Sequence, residues 1–163
     1  MMKNKNIVIC YDGTGNEYGR NNTNVVKTFE SLVSNESQTK YYHPGIGTID
    51  LLHHKYGKKT DILLSKGFGL GLQKTIDQGY AYLMHAYRPG DRVYLFGFSR
   101  GAFTVRALAG MIHHFGLLHK GSEQLIPYVS EMYNKKDFSV HKDFKATFCQ
   151  SCTPHFIGVW DTV

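Results

Sequence analysis

Short runs dense in apolar residues alternate along this chain with stretches in which apolar residues return every three or four positions. The runs are Ile7-Val8-Ile9-Cys10-Tyr11, Lys40-Tyr41-Tyr42-His43, Val93-Tyr94-Leu95-Phe96 and Phe156-Ile157-Gly158-Val159-Trp160. Each is rich in β-branched or aromatic side chains and is followed closely by Gly, Pro or Asp, so each reads as a strand. Between the first two, Asn22 to Val33 sets Val25, Val26, Phe29, Leu32 and Val33 on one helical face, behind an Asn/Thr cluster suited to capping. Leu72, Ile76, Tyr80, Leu83 and Tyr87 repeat the spacing over residues 70–87, and Pro89-Gly90-Asp91 ends it. Ala102 to Phe115 and Ser122 to Tyr133 read as further helices, the latter with Pro127 in its first turn, where proline is tolerated. Strands alternating with helices predict an α/β fold, a parallel sheet with right-handed crossovers and helices on both faces. Residues 45–71 are Gly-rich and read as an irregular insertion, a length of loop associated with function or mobility. Their apolar Ile49, Leu51, Leu52, Ile62, Leu63 and Leu64 suit them to border a cleft as a lid.

Composition narrows the picture. A chain of 163 residues suffices for one compact domain, 1–163. The net charge of +6 is spread over scattered lysines, with adjacent pairs at Lys58-Lys59 and Lys135-Lys136, which reads as a solvated surface compatible with contact to an anionic membrane. No nucleic-acid motif is present, so no nucleic-acid partner is expected. No apolar stretch approaches the roughly 20 residues of a membrane span. The polar start, Met1 to Asn6, is not a signal peptide, so synthesis in the cytoplasm is expected, with any export independent of such a peptide. Three cysteines do not make a disulfide framework. Cys149-Gln150-Ser151-Cys152 has the C-x-x-C spacing, but His155 alone does not complete a zinc set. No metal or cofactor is called for.

In a parallel sheet, sites form beyond the carboxyl ends of the strands. Asp12-Gly13-Thr14, Ser99 and Asp161 fall there. Gly97-Phe98-Ser99-Arg100-Gly101 lies between a strand and a helix, the setting of a nucleophile elbow, in which a strained turn lifts the serine hydroxyl above the sheet. A serine becomes a nucleophile when a histidine takes its proton and a carboxylate orients that histidine. Asp161 suits the acid. The Arg100 backbone N–H and one from Gly13 or Thr14 suit the oxyanion. Asp12 is a possible acidic site residue or a turn residue holding its own loop. The base is the gap. All nine histidines precede Asp161, out of the usual Ser, acid, His order; His43 is a fallback, and His113 and His114 sit near the end of the elbow helix. Arg106 reads as a buried or interfacial arginine paired with a carboxylate, not as a catalytic residue. Two rivals fail on residue identity. An aspartate-based phosphatase would need its nucleophile where Cys10 stands, and a dinucleotide loop starting at Gly67 would need glycine where Leu72 stands.

Tyr11-Asp12-Gly13-Thr14-Gly15-Asn16, Tyr42-His43-Pro44-Gly45-Ile46-Gly47-Thr48, Tyr87-Arg88-Pro89-Gly90-Asp91, Gly97-Phe98-Ser99-Arg100-Gly101-Ala102-Phe103 and Gly158-Val159-Trp160-Asp161-Thr162-Val163 occur in this order. With them the chain resembles the amino-terminal part of the α/β-hydrolase domain family once labelled as of unknown function, which includes bacterial type VI secretion phospholipase effectors. The resemblance implies a three-layer α/β-hydrolase-like sheet, incomplete at its carboxyl end, and a serine esterase or lipase with an ester or phospholipid as substrate. It makes Ser99 the nucleophile and Asp161 the acid, and it puts the catalytic histidine beyond Val163, on a downstream chain or segment. The alternative it leaves is an inactive or split fragment serving as an interaction module. Little esterase activity is expected of the chain by itself.

Overall fold

The computed structural model describes residues 4–161 apart from 15, 17, 20, 46–60 and 138, and of residues 61–70 the backbone alone. The chain order is β1 (Asn6–Tyr11), α1 (Asn24–Ser31), β2 (Gln38–His43), α2 (Asp61–Ala86), β3 (Arg92–Phe98), α3 (Arg100–Phe115), β4 (Leu117–Leu118), a 3-10 turn at Glu123–Leu125, α4 (Ile126–Asn134), α5 (His141–Phe148), β5 (Cys149–Gln150) and β6 (Pro154–Trp160). Four strands form one sheet in the order β2-β1-β3-β6, every pair parallel. β4 and β5 pair antiparallel apart from it.

Alternation along β1 sorts the layers. Ile7, Ile9 and Tyr11 point into a core made with Tyr80 and Leu83 of α2, Leu108 and Ile112 of α3, Val129 of α4 and Phe144 of α5. Val8 and Cys10 point to the other face, where Val25 and Phe29 of α1 cover them beside Tyr94, Phe96 and Trp160. Helices therefore lie on both faces, the expected three-layer α/β arrangement. Burial drives this: apolar area removed from water is worth roughly 25 cal/mol per Å². It also pushes the three thiols up, Cys10 and Cys152 to about 12 and Cys149 to about 11. Cys149-x-x-Cys152 thus holds no thiolate near neutral pH.

One expectation needs correcting. The irregular reading of residues 45–71 fails at its carboxyl end, because α2 starts at Asp61. Gly67, Gly69 and Gly71 fall inside that helix. A helical glycine costs about 1 kcal/mol against alanine, and the packed stretch from Leu72 onwards outweighs it. Gly79 of the same helix is required by packing: the Tyr11 hydroxyl fills the place of its Cβ and donates to Thr75 O at 2.8 Å. Residues 46–60, with Ile49, Leu51 and Leu52 of the proposed lid surface, lie outside the described residues; Ile62, Leu63 and Leu64 fall in α2. Helix α5 has no counterpart in the sequence reading; its one buried residue is Phe144.

Candidate active site

The register sets the site. Tyr11 pairs with Gly97, and Phe98 with Trp160. The residues that leave the three strands, Asp12, Ser99 and Asp161, therefore come out at nearly one level on the carboxyl edge, with Ser99 in the middle. Ser99 has φ 53° and ψ −121°, a conformation costly for a residue with a side chain. Asp161 beside it also has positive φ, 41°. The Ser99 N–H donates to Trp160 O at 3.0 Å, and Ala102 N–H donates to Ser99 O at 2.9 Å. The turn is closed by glycine at two places. A Cβ on Gly97 would meet the Gly101 carbonyl, and a Cβ on Gly101 would meet the carbonyl oxygens of Tyr11 and Asp12. The elbow helix thus sits directly on the end of β1. Arg100 opens that helix, so its amide points out of the positive end of the helix dipole.

Asp12 is 1% exposed. Its Oδ1 accepts from Gly13 N–H at 2.7 Å and Asn16 Nδ2 at 3.3 Å, and its Oδ2 from Thr23 Oγ1 at 2.8 Å and the Tyr42 hydroxyl at 2.9 Å. Thr23 in turn caps α1 by accepting from Val26 N–H at 3.2 Å. Asp12 therefore ties its own loop, the start of α1 and the end of β2 into one unit. Burial and this hydrogen bond push the Tyr42 hydroxyl well above its ordinary range. The Gly13 amide is already engaged by Asp12. The Thr14 hydroxyl oxygen is enclosed and has no hydrogen-bond partner among the described residues. Thr23 and Tyr42 escaped the sequence reading, since only strand pairing reveals which side chain meets Asp12.

The histidines divide by edge. His43 is on β2, with β1 between it and the elbow strand. Its Nδ1 accepts from Gly45 N–H at 3.2 Å, so Nε2 carries the proton and donates to Gln78 Oε1 at 3.2 Å. Burial lowers its pKa and keeps it neutral. Both nitrogens are engaged, and β1 separates the ring from the elbow strand. His85 ends α2, His113 and His114 end α3, and His155 begins β6 beside Tyr94, all at the opposite edge of the sheet. A strand of this length separates the edges by about 20 Å. His119 follows β4, and His141 lies near His114. His53 and His54 lie outside the described residues. Among the described residues, no three His, Cys, Asp or Glu side chains gather as metal ligands would, and no helix is long and apolar enough to cross a membrane.

The profile of the type VI secretion system phospholipase effector Tle1-like catalytic domain matches residues 5–163. The chain belongs to that family. It is also similar to the uncharacterized protein YEL023C of Saccharomyces cerevisiae, 36% identical over 181 aligned positions that cover 98% of this chain and 26% of the yeast protein. It spans about a quarter of the length of that relative. No solved structure matches it. The family is described as one of phospholipase effector catalytic domains.

Proposed function

We propose that this chain carries the nucleophile, the acid and the oxyanion donors of a serine phospholipase. Ser99 Oγ attacks the carbonyl carbon of a fatty-acyl ester while its proton passes to an imidazole. The negative charge on the carbonyl oxygen falls to the amides of Arg100 and Thr14. The tetrahedral intermediate expels the lysophospholipid alcohol, which takes the proton from the imidazolium. Water, deprotonated by the same imidazole, then releases the fatty acid and restores Ser99. Asp161 holds the imidazolium in orientation, a task for which its exposed position beside Ser99 is suited. The imidazole comes from outside the described residues, because the described histidines are either engaged or at the wrong edge.

The observation that carries this reading is the strained Ser99 backbone, φ 53°, at a glycine-closed strand–helix turn flanked by Asp161. The test is fatty-acid release from phosphatidylglycerol vesicles, with imidazole added to the buffer as base. Release that grows with imidazole and disappears in Ser99→Ala supports the reading; release equal in Ser99→Ala ends it.

One observation favours the second reading, an interaction module. Phe156, Ile157 and Val159 of β6 are 49%, 42% and 40% exposed. Such a strand offers apolar surface and backbone groups to another polypeptide.

A further inference from the structure

Ser99, Phe103 and Arg106 form a stripe on one face of the elbow helix, since residues four and seven apart return to the same side. Phe103 N–H donates to Ser99 O at 3.3 Å and its ring is 47% exposed, so this aromatic stands one turn from the nucleophile. Beside the stripe lies a cavity of about 650 Å³ between α2, α3 and α4. Leu72 and Ile76 give it one wall, Phe103, Arg106 and Ala107 a second, and Tyr133 closes it. That volume falls in the range of sites for small molecules, roughly 300–1,000 Å³.

Arg106 lies seven residues from Ser99, about 10 Å along the axis at about 1.5 Å per residue. Helical side chains lean toward the amino end, so a long one reaches back by several ångströms toward Ser99. A guanidinium carries five donors in a fixed fork, enough for a phosphate alongside a protein partner. Asn134 Nδ2 donates to Gln73 Oε1 at 2.6 Å, and Gln73 Nε2 donates to Asp77 Oδ1 at 2.7 Å, which Ser130 Oγ also reaches at 2.6 Å. Among the described residues, no carboxylate lines the cavity. A cation and an apolar wall one turn from the nucleophile suit a lipid that carries a phosphate beside its acyl chain.

We infer that this cavity binds the phosphate and one acyl chain of a glycerophospholipid, with the phosphate on Arg106 and the chain over Phe103, Ile76 and Leu72. The inference rests on the phospholipase reading and names the feature by which the site prefers phospholipids to neutral esters. Arg106 acts as a specificity residue and takes no part in the chemistry at Ser99.

The test is binding of dodecyl phosphate to the Ser99→Ala chain by calorimetry, with dodecanol and inorganic phosphate as comparison ligands. Dodecyl phosphate is expected to bind about tenfold tighter than dodecanol, the worth of one charged hydrogen-bonded pair. Inorganic phosphate alone is expected to compete only at far higher concentration. Arg106→Gln is expected to erase the difference between phosphate and alcohol, Arg106→Lys to keep part of it, and Phe103→Glu, at an exposed position, to weaken both ligands. Thermal unfolding confirms that each variant is folded. Equal binding of the two dodecyl ligands, or full binding by a folded Arg106→Gln or Phe103→Glu, overturns the inference. Because no ester is cleaved, this outcome is independent of the vesicle assay.

Discussion

Asp12 and Asp161 follow the strands on either side of the elbow strand, yet they sit in opposite surroundings. Asp12 is enclosed and accepts hydrogen bonds from Gly13, Asn16, Thr23 and Tyr42. Asp161 is exposed, in a left-handed backbone conformation next to Ser99. A carboxylate whose lone pairs are already taken builds the loop that faces the nucleophile. One that keeps them can orient a histidine. Sequence position alone would grant both the same role, and the hydrogen-bond partners separate them.

The comparison yields predictions in order of size. With imidazole supplied as base, Asp161→Ala should lower the reactivity of Ser99 by up to about 10⁴-fold, the scale of losing the acid of a complete triad, while moving the urea midpoint by the equivalent of about 0.5 kcal/mol or less. Asp12→Ala should invert that pattern and cost about 3 kcal/mol of stability in the same titration, because Thr23, Tyr42 and the Gly13 amide lose a charged partner. Comparable destabilisation by the two variants would break the distinction. Gly101→Ala should cost about 2 kcal/mol, since its Cβ meets backbone carbonyls that cannot swing aside. Ser99 labelling should fall with it, because the elbow helix must move off β1.

The smallest effect sharpens the Asp12 side. Tyr42→Phe should cost about 1 kcal/mol near neutral pH. The Tyr42 hydroxyl, raised above its ordinary 10.0 by burial and then by Asp12, keeps its proton in the folded state after the unfolded chain has released it. The unfolded state then binds fewer protons, so stability falls as pH rises past 10. Chemical unfolding between pH 8 and 11 should show a shallower alkaline decline in Tyr42→Phe than in the parent chain.

Much of this was legible from local signals. The runs at 7–11, 93–96 and 156–160 carry their own period and stop signals, and Gly97 and Gly101 bracket Ser99 where the chain must turn. The residues at the strand ends followed from those. What escaped depends on distant pairing. Tyr42 meets Asp12 because Cys10 pairs with Tyr42 across β1 and β2. His43 is engaged because Gln78 of α2 and the Gly45 amide come to it. The early start of α2 was hidden by glycines whose local cost the helix bears, and α5 by a segment in which Phe144 is the lone buried anchor.

The central claim is that Ser99 is a nucleophile awaiting an imidazole oriented by Asp161. Its most direct test is intact-mass and peptide mapping of the chain after treatment with a fluorophosphonate across a series of imidazole concentrations. The account predicts one phosphonyl group, mapped to Ser99, whose rate of attachment rises with imidazole, falls sharply in Asp161→Ala and holds in Tyr42→Phe. No attachment at any imidazole concentration, attachment elsewhere, or an equal rate in Asp161→Ala would contradict it.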